Sequence, residues 1–331
     1  MSAIGILLMI AHHLFGFKEY LADGIYWDSM FLIGGIEVER IIAAFGKICV
    51  SLFAFNSGYV IWKFRLSYQN PWNCFKRCVS FLLSYWIVLA AFMLYAVAIG
   101  ESMPTGSDLI YNLFGLSTGP DKPFVNIPFA WYVAYYITFI SLAPIILLLF
   151  SKNSVTDCII FALMGLVLWE FPISFMSPMM IGLEGLLFAK YAVFQHLAER
   201  LSSIRVSVIL LIEFAIIILR QGYILLKLNY FNLMGGVDFL IVPSFAFFTI
   251  ILLRKLRNGY MGKSLIFLST CSMNLWFLHG IFFTGSRPLQ TLIYTSQQPI
   301  IIYCTILAAT IPVAFILHRF QKSVINLLRL K

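Results

Sequence analysis

Ala3-Ile4-Gly5-Ile6-Leu7-Leu8-Met9-Ile10-Ala11-His12-His13-Leu14-Phe15-Gly16-Phe17 opens the chain as an apolar run broken only by two histidines. Near the other end, Leu275-Trp276-Phe277-Leu278-His279 repeats the arrangement with one imidazole. Apolar runs of this kind read as membrane helices, and a titratable side chain in hydrocarbon is expensive and usually functional. If both runs cross a bilayer with their histidines at the same depth, the three imidazoles mark a reaction centre.

The rest of the composition supports the membrane reading. Of 331 residues, 61% are hydrophobic and only 11% charged, against about 25% charged in a soluble domain. Aromatic residues make up 17%, including 32 Phe, which suits lipid-facing helices and interfacial belts. The opening run lacks a basic leader and a small-residue cleavage site before Lys18, so no cleavable signal peptide is expected. Six scattered cysteines form neither a disulfide framework nor a metal set; Cys74 and Cys78 are four apart with no second pair to join them. They read as structural thiols, and no metal is expected.

A membrane helix needs about 20 mostly apolar residues. Ten segments qualify or nearly so, at about 1–17, 41–62, 79–99, 129–150, 156–170, 178–195, 207–225, 237–253, 264–285 and 299–317. Alternate connections and the chain ends, counted with Lys190 near the end of span 178–195, hold 16 of the 23 basic residues. The positive-inside rule then puts both termini in the cytoplasm. The expected fold is therefore all-α, a polytopic membrane helix bundle of about ten spans forming a single domain over residues 1–331. The net charge of +9 is a topology signal, which argues against nucleic acid as a partner. The expected outside connections, 18–40 and 100–128, are the longer and more acidic ones, and loops on a helical scaffold commonly hold binding determinants.

Span 1 runs outward, so His12 and His13 fall near its outer end, and His279 lies in the outer half of span 9. Histidine titrates near neutrality and is the commonest general base. Adjacent helical residues point about 100° apart, so His12 and His13 cannot both face one pocket squarely. A lone membrane histidine can equally be an interhelical hydrogen-bond donor. Span 2 holds a polar run, Gly46 to Tyr59, in which Lys47 could snorkel and Ser57-Gly58 permit close helix contact or a kink. Span 4 opens with Trp131-Tyr132 and continues through Tyr135 and Tyr136, which an aromatic belt would also explain. In span 9, Ser272 and Asn274 lie one to two turns inward of His279, and Ser272 shares its face.

Together these stretches resemble the acyltransferase-3 family of integral-membrane acyltransferases. The resemblance rests on Ile6–Phe15, on Gly46–Tyr59, on Trp131-Tyr132 with Tyr136, and on Ser272 to His279, in that order along most of the chain. It implies transfer of an acyl group, usually acetyl, from cytoplasmic acetyl-CoA or another acyl-CoA to a hydroxyl of an extracytoplasmic carbohydrate. It implies a multi-pass protein of the bacterial cell membrane, with acyl-CoA, a carbohydrate acceptor and the lipid bilayer as partners. His13 matches the essential histidine and would accept a proton, with His12 beside it and with His279 and Ser272 orienting or polarising. Lys47, Ser57, Trp131, Tyr132, Tyr136 and Asn274 would belong to the substrate-binding region, with Lys47 and Tyr132 as oxyanion or acceptor contacts. Lys63, Arg65, Lys76 and Arg77 are candidate contacts for the coenzyme A phosphates, although topology alone also explains them.

Three departures stand out. Family members carry a basic residue about eleven positions before the essential histidine, roughly 16 Å along a helix, whereas here that position is Ser2. Ala134 stands where related sequences often have Arg. The first span would cover only about 25 Å of a roughly 30 Å core; the simplest expectation is a span beginning upstream of Met1, the alternatives being a weakened donor site or a free amino terminus that supplies the charge. Two rivals remain at the level of sequence. One is a transporter or flippase for lipid-linked sugars using Glu213, Arg220 and Asp238 as intramembrane charges; the other is a catalytically silent homologue.

Overall fold

In hydrocarbon only hydrogen bonds within a segment satisfy the backbone, so apolar runs become helices. The structure, a computed structural model, describes residues 1–100, 106–116, 131–150, 153–169, 171, 173–201, 203–225, 230–282, 287–328 and 330. The first helices are α1 (Ser2–Gly16), α2 (Val38–Gly46), α3 (Ile48–Lys63), α4 (Arg65–Tyr68) and α5 (Pro71–Ala98). Next come α6 (Ser107–Leu113), α7 (Trp131–Leu149), α8 (Ser154–Leu168), α9 (Ile173–Lys190) and α10 (Val193–Arg200). The last are α11 (Val206–Leu225), α12 (Tyr230–Leu256), α13 (Tyr260–Gly280), α14 (Arg287–Tyr294) and α15 (Pro299–Leu327).

Helix covers most of the described residues in each of the ten expected segments, with a break at Tyr191-Ala192 inside 178–195. Among the described residues, four stretches are long and apolar enough to cross a membrane: Pro71–Ala98, Tyr132–Leu149, Val237–Leu256 and Pro299–Leu327. The apolar helices α1 and α8 have 15 residues each, about 22 Å of rise against a core of about 30 Å. The fold is thus that of an all-α membrane protein.

The expected span over 41–62 departs from one continuous helix. It is divided into α2 and α3 at Lys47, and the cause lies far away in sequence. Nη1 of Arg220 on α11 donates to the carbonyls of Ala44 at 2.9 Å and Phe45 at 3.3 Å. Those carbonyls would otherwise serve the next helical turn, so the guanidinium caps α2 and leaves α3 to start afresh.

The described chain falls into two compact units. The first comprises Met1–Leu8, Ala44–Pro71 and Leu142–Ser269. Its tightest contact joins α3 to α9 through glycine. A Cβ built on Gly58 would lie 1.7 Å from the Gly182 carbonyl oxygen, and one on Gly185 would lie 2.0 Å from that of Phe55. Only glycine allows two helix backbones this close, the small-residue packing typical of membrane bundles. The buried Arg, Asp and Glu side chains described in this unit are hydrogen-bonded. Nε of Arg220 donates to Oδ1 of Asp238 at 2.9 Å, while the Ser51 hydroxyl donates to its other oxygen at 2.7 Å. The Thr249 hydroxyl donates to Glu213 at 2.9 Å, and Asp157 holds both Lys190 and the Tyr191 hydroxyl.

The second unit comprises Met9–Ala43, Trp72–Ser141 and Thr270–Lys331. Here α5 receives α6, with the Tyr85 hydroxyl and the Trp86 indole N–H donating to the carbonyls of Asn112 and Leu113, both at 2.8 Å. Gln321 on α15 donates to the Ser84 carbonyl at 3.1 Å, and Asn274 on α13 donates to that of Ala314 on α15 at 3.3 Å. After α1 the chain forms a two-stranded hairpin of β1 (Leu32–Ile33) and β2 (Ile36–Glu37), in register Leu32 to Glu37 and Ile33 to Ile36. Its turn residues, Gly34 and Gly35, both have positive φ, as a tight two-residue hairpin turn requires.

Candidate functional site

The second unit brings the three sequence-flagged histidines together. His12 and His13 occupy the last turns of α1, and His279 is the penultimate residue of α13. All three are buried. Nδ1 of His13 lies 2.5 Å from Nε2 of His279, with the ring planes 5° from parallel and their centroids 4.9 Å apart. Nδ1 of His279 is 3.1 Å from the Leu275 carbonyl, one turn back on its own helix.

A carbonyl can only accept, so Nδ1 of His279 carries the proton in this contact and Nε2 carries the lone pair. His13 then donates from Nδ1 to that lone pair. The neutral tautomer that results leaves the lone pair of His13 on Nε2, which makes that atom the basic one of the pair. His12 points elsewhere, as the angular offset along a helix requires: its Nδ1 donates to the Ala43 carbonyl at 2.7 Å. Even so, the His12 and His13 rings are only 5.1 Å apart. Phe17 touches both, at 5.1 Å and 6.0 Å between centroids.

The segment above the histidines is fastened by α14. Oε1 of Gln290 accepts from the Ala22 N–H at 2.7 Å, and Nε2 donates to the Tyr20 carbonyl at 2.8 Å. Tyr20 in turn lies 5.4 Å from Phe17, ring to ring. The Tyr294 hydroxyl donates to the Leu14 carbonyl at 3.0 Å, and burial pushes that phenol above the ordinary tyrosine range. Burial also raises the Tyr20 phenol, with the charge of Glu19 adding to the effect.

Aromatic residues flank the histidine-bearing end of α13. Tyr132 meets Trp276 edge-on at 5.3 Å, and Tyr136 lies 4.2 Å from Phe81, which also contacts Phe277. Asn274 is engaged with α15 as described, and Ser272 is half-buried. The side chain of Trp131 lies outside the described residues. Two expected substrate contacts belong to the first unit: Lys47, half-buried between α2 and α3, and Ser57, whose hydroxyl donates to the Phe53 carbonyl of its own helix at 2.9 Å. Lys63, the last residue of that unit's α3, and Arg65, the first of α4, are exposed, with the Arg65 guanidinium 5.4 Å over Trp62. Lys76 and Arg77 stand in the opening turns of α5 in the second unit, and Lys76 lies 6.0 Å over Trp72.

The family model of the acyltransferase-3 family, an acyltransferase domain, matches residues 2–319. The chain belongs to that family. It is a membrane acyltransferase, and the match covers both the α1 and the α13 histidines. No curated protein and no solved structure matches the chain.

Sequence reasoning missed several groups that shape the acyltransferase's histidine cluster. Phe17, the Ala43 and Leu275 carbonyls, and Gln290 carry no signal in a linear reading. Main-chain carbonyls are present at every residue, and Gln290 is 270 residues from Tyr20.

Proposed function

We propose that the protein transfers an acyl group, acetyl in the first instance, from acetyl-CoA or another acyl-CoA to a hydroxyl of an extracytoplasmic carbohydrate of the cell envelope. The observation that carries this reading is the line from the Leu275 carbonyl through His279 to His13. It fixes one tautomer and leaves a basic nitrogen on a buried side chain, which is what a general base for a hydroxyl nucleophile needs.

In this mechanism Nε2 of His13 takes the proton from the acceptor hydroxyl as its oxygen attacks the thioester carbonyl. The carbon–sulfur bond breaks, and the coenzyme A thiolate receives the proton held by His13. The products are the ester and the free thiol. His279 orients His13 and stabilises the imidazolium that forms, and the Leu275 carbonyl orients His279. Tyr132 and Lys47 are the candidate groups for the acceptor or the oxyanion, with Trp131, Tyr136, Ser57, Ser272 and Asn274 in the substrate-binding region. Lys63, Arg65, Lys76 and Arg77 are the candidate partners for the coenzyme A phosphates. The topology that goes with this reading has ten spans and both termini in the cytoplasm of a bacterial cell, placing donor and acceptor on opposite sides.

The test is an assay of the purified full chain in lipid nanodiscs with acetyl-CoA and glycan fragments of the cell envelope. Thiol release coupled to incorporation of labelled acetyl into the glycan supports the reading. Labelled transfer that persists unchanged in His13→Ala removes His13 from it, and absence of any acyl-CoA consumption by the parent protein overturns it.

A further inference from the structure

The first unit holds a cavity of about 390 Å³ where the start of α1 meets the end of α12 and the start of α13. Its walls are apolar, with Ile4, Ile250, Leu253 and Leu265 among them, while Arg254 and Arg257 are its charged side chains. Among the described residues, no acidic side chain lines it. Both arginines are exposed, and neither forms an ion pair among the described residues. An apolar recess with two uncompensated guanidiniums fits an anionic head joined to a hydrocarbon arm.

The flanking sequence identifies the kind of amphiphile. Arg254, Lys255, Arg257 and Lys263 place four cations within ten residues at the end of a membrane-spanning stretch. Clusters of this density next to a span attract anionic lipid. The turn between α12 and α13 also presents Tyr260 at 91% and Met261 at 53% exposure. A tyrosine so placed is suited to the headgroup level of a bilayer, where its ring rests on acyl chains and its hydroxyl meets water. Gly262 keeps the turn tight, since a Cβ there would lie 2.4 Å from the Leu256 carbonyl oxygen.

We propose that this cavity is a binding site for an anionic phospholipid. The phosphodiester is held by Arg254 and Arg257, whose guanidiniums match phosphate oxygens in charge and geometry, and one acyl chain lies along the Ile4, Ile250 and Leu253 wall. The site is independent of the acyl-transfer reading, because it needs only that the protein reside in a membrane.

The test uses the delipidated full chain in neutral detergent, following thermal unfolding and lipid adducts by native mass spectrometry. Dioleoylphosphatidylglycerol is expected to bind and raise the unfolding midpoint, while dioleoylphosphatidylcholine and acetyl-CoA do neither through this cavity. The double variant Arg254→Gln/Arg257→Gln should bind phosphatidylglycerol about tenfold or more weakly, given two lost charge-assisted contacts, with helix content unchanged. Leu253→Trp should weaken binding by filling the recess while keeping both charges. Equal binding of the two lipids, or phosphatidylglycerol binding unchanged in both variants, overturns the proposal. So does loss of acetyl-CoA binding in the arginine variant with lipid binding intact, which would assign the cavity to the acyl donor.

Discussion

His13 and His279 are 266 residues apart in sequence, yet Nδ1 of the one lies 2.5 Å from Nε2 of the other. Two imidazoles at that distance cannot both present lone pairs or both present N–H groups, so the contact sets their tautomers jointly. Their roles follow from the direction of the donation. In the proposed mechanism His13 is the base, and His279 aims it.

His13→Ala should lower acyl transfer by about 10²–10⁴-fold, the usual worth of a general base, without loss of folding or membrane insertion. His279→Ala should cost less, because it removes orientation and leaves the base in place. His12→Ala should be the mildest, since the His12 Nδ1 is committed to the Ala43 carbonyl. Thiol release from acetyl-CoA, measured beside size exclusion and circular dichroism, decides the order. A His12 variant more damaged than the His13 variant would reverse the assignment.

Gly185→Ala should destabilise the α3–α9 contact by about 1–3 kcal/mol or more, the cost of overpacking against something that cannot yield. Its new Cβ meets the Phe55 backbone at 2.0 Å. Gly165→Ala is the control, because its Cβ would meet only the mobile end of Met180 at 3.2 Å. Thermal unfolding in detergent should therefore separate the two variants clearly, and equal midpoints would contradict the backbone contact.

Arg220→Met should destabilise the protein by about 3–5 kcal/mol, because it leaves the Asp238 carboxylate buried without its cation. The double variant Arg220→Met/Asp238→Leu should recover part of the loss. A double variant no more stable than the single one, in the same unfolding assay, would show that the pair is not coupled.

Gln290→Ala should release the chain at Tyr20–Ala22 from α14 and increase proteolysis there, since both of its amide groups serve that segment. Gln290→Glu keeps the acceptor for the Ala22 N–H and loses the donor to Tyr20, so its sensitivity should fall between that of Ala and the parent. Limited proteolysis with cleavage mapping distinguishes the three, and identical patterns would remove the clamp.

Reporter fusions test orientation directly. A cytoplasmic signal after Leu328 is expected from the skewed distribution of Lys and Arg, and an extracytoplasmic signal there would require redrawing the connectivity.

Long apolar runs were legible in sequence because hydrocarbon enforces helices whatever the neighbours do. The histidines were legible for the related reason that Ala3–Phe17 offers almost nothing else polar. The division at Lys47 was not, since Gly46-Lys47-Ile48 reads as continuous helix until Arg220 captures the Ala44 and Phe45 carbonyls. Arg220 and Asp238 were visible as intramembrane charges, and only the folded chain shows them spent on each other and on a helix end. Gly58 announced close packing, yet the glycines that receive it lie on α9, more than a hundred residues away. The hold of α14 on Tyr20–Ala22 passes largely through main-chain atoms, which no side-chain pattern reveals.

The last acceptor in the histidine line is a main-chain carbonyl, that of Leu275, one turn below His279 on the same helix. In serine-protease triads a carboxylate fills the equivalent place and can be lost by a single substitution. Here every amino acid at position 275 supplies the same oxygen, provided that the helix persists. The relay therefore tolerates sequence drift at its far end, and its weak point is helical continuity between residues 275 and 279. A local unwinding of that turn would break the line, while exchange of the Leu275 side chain would not.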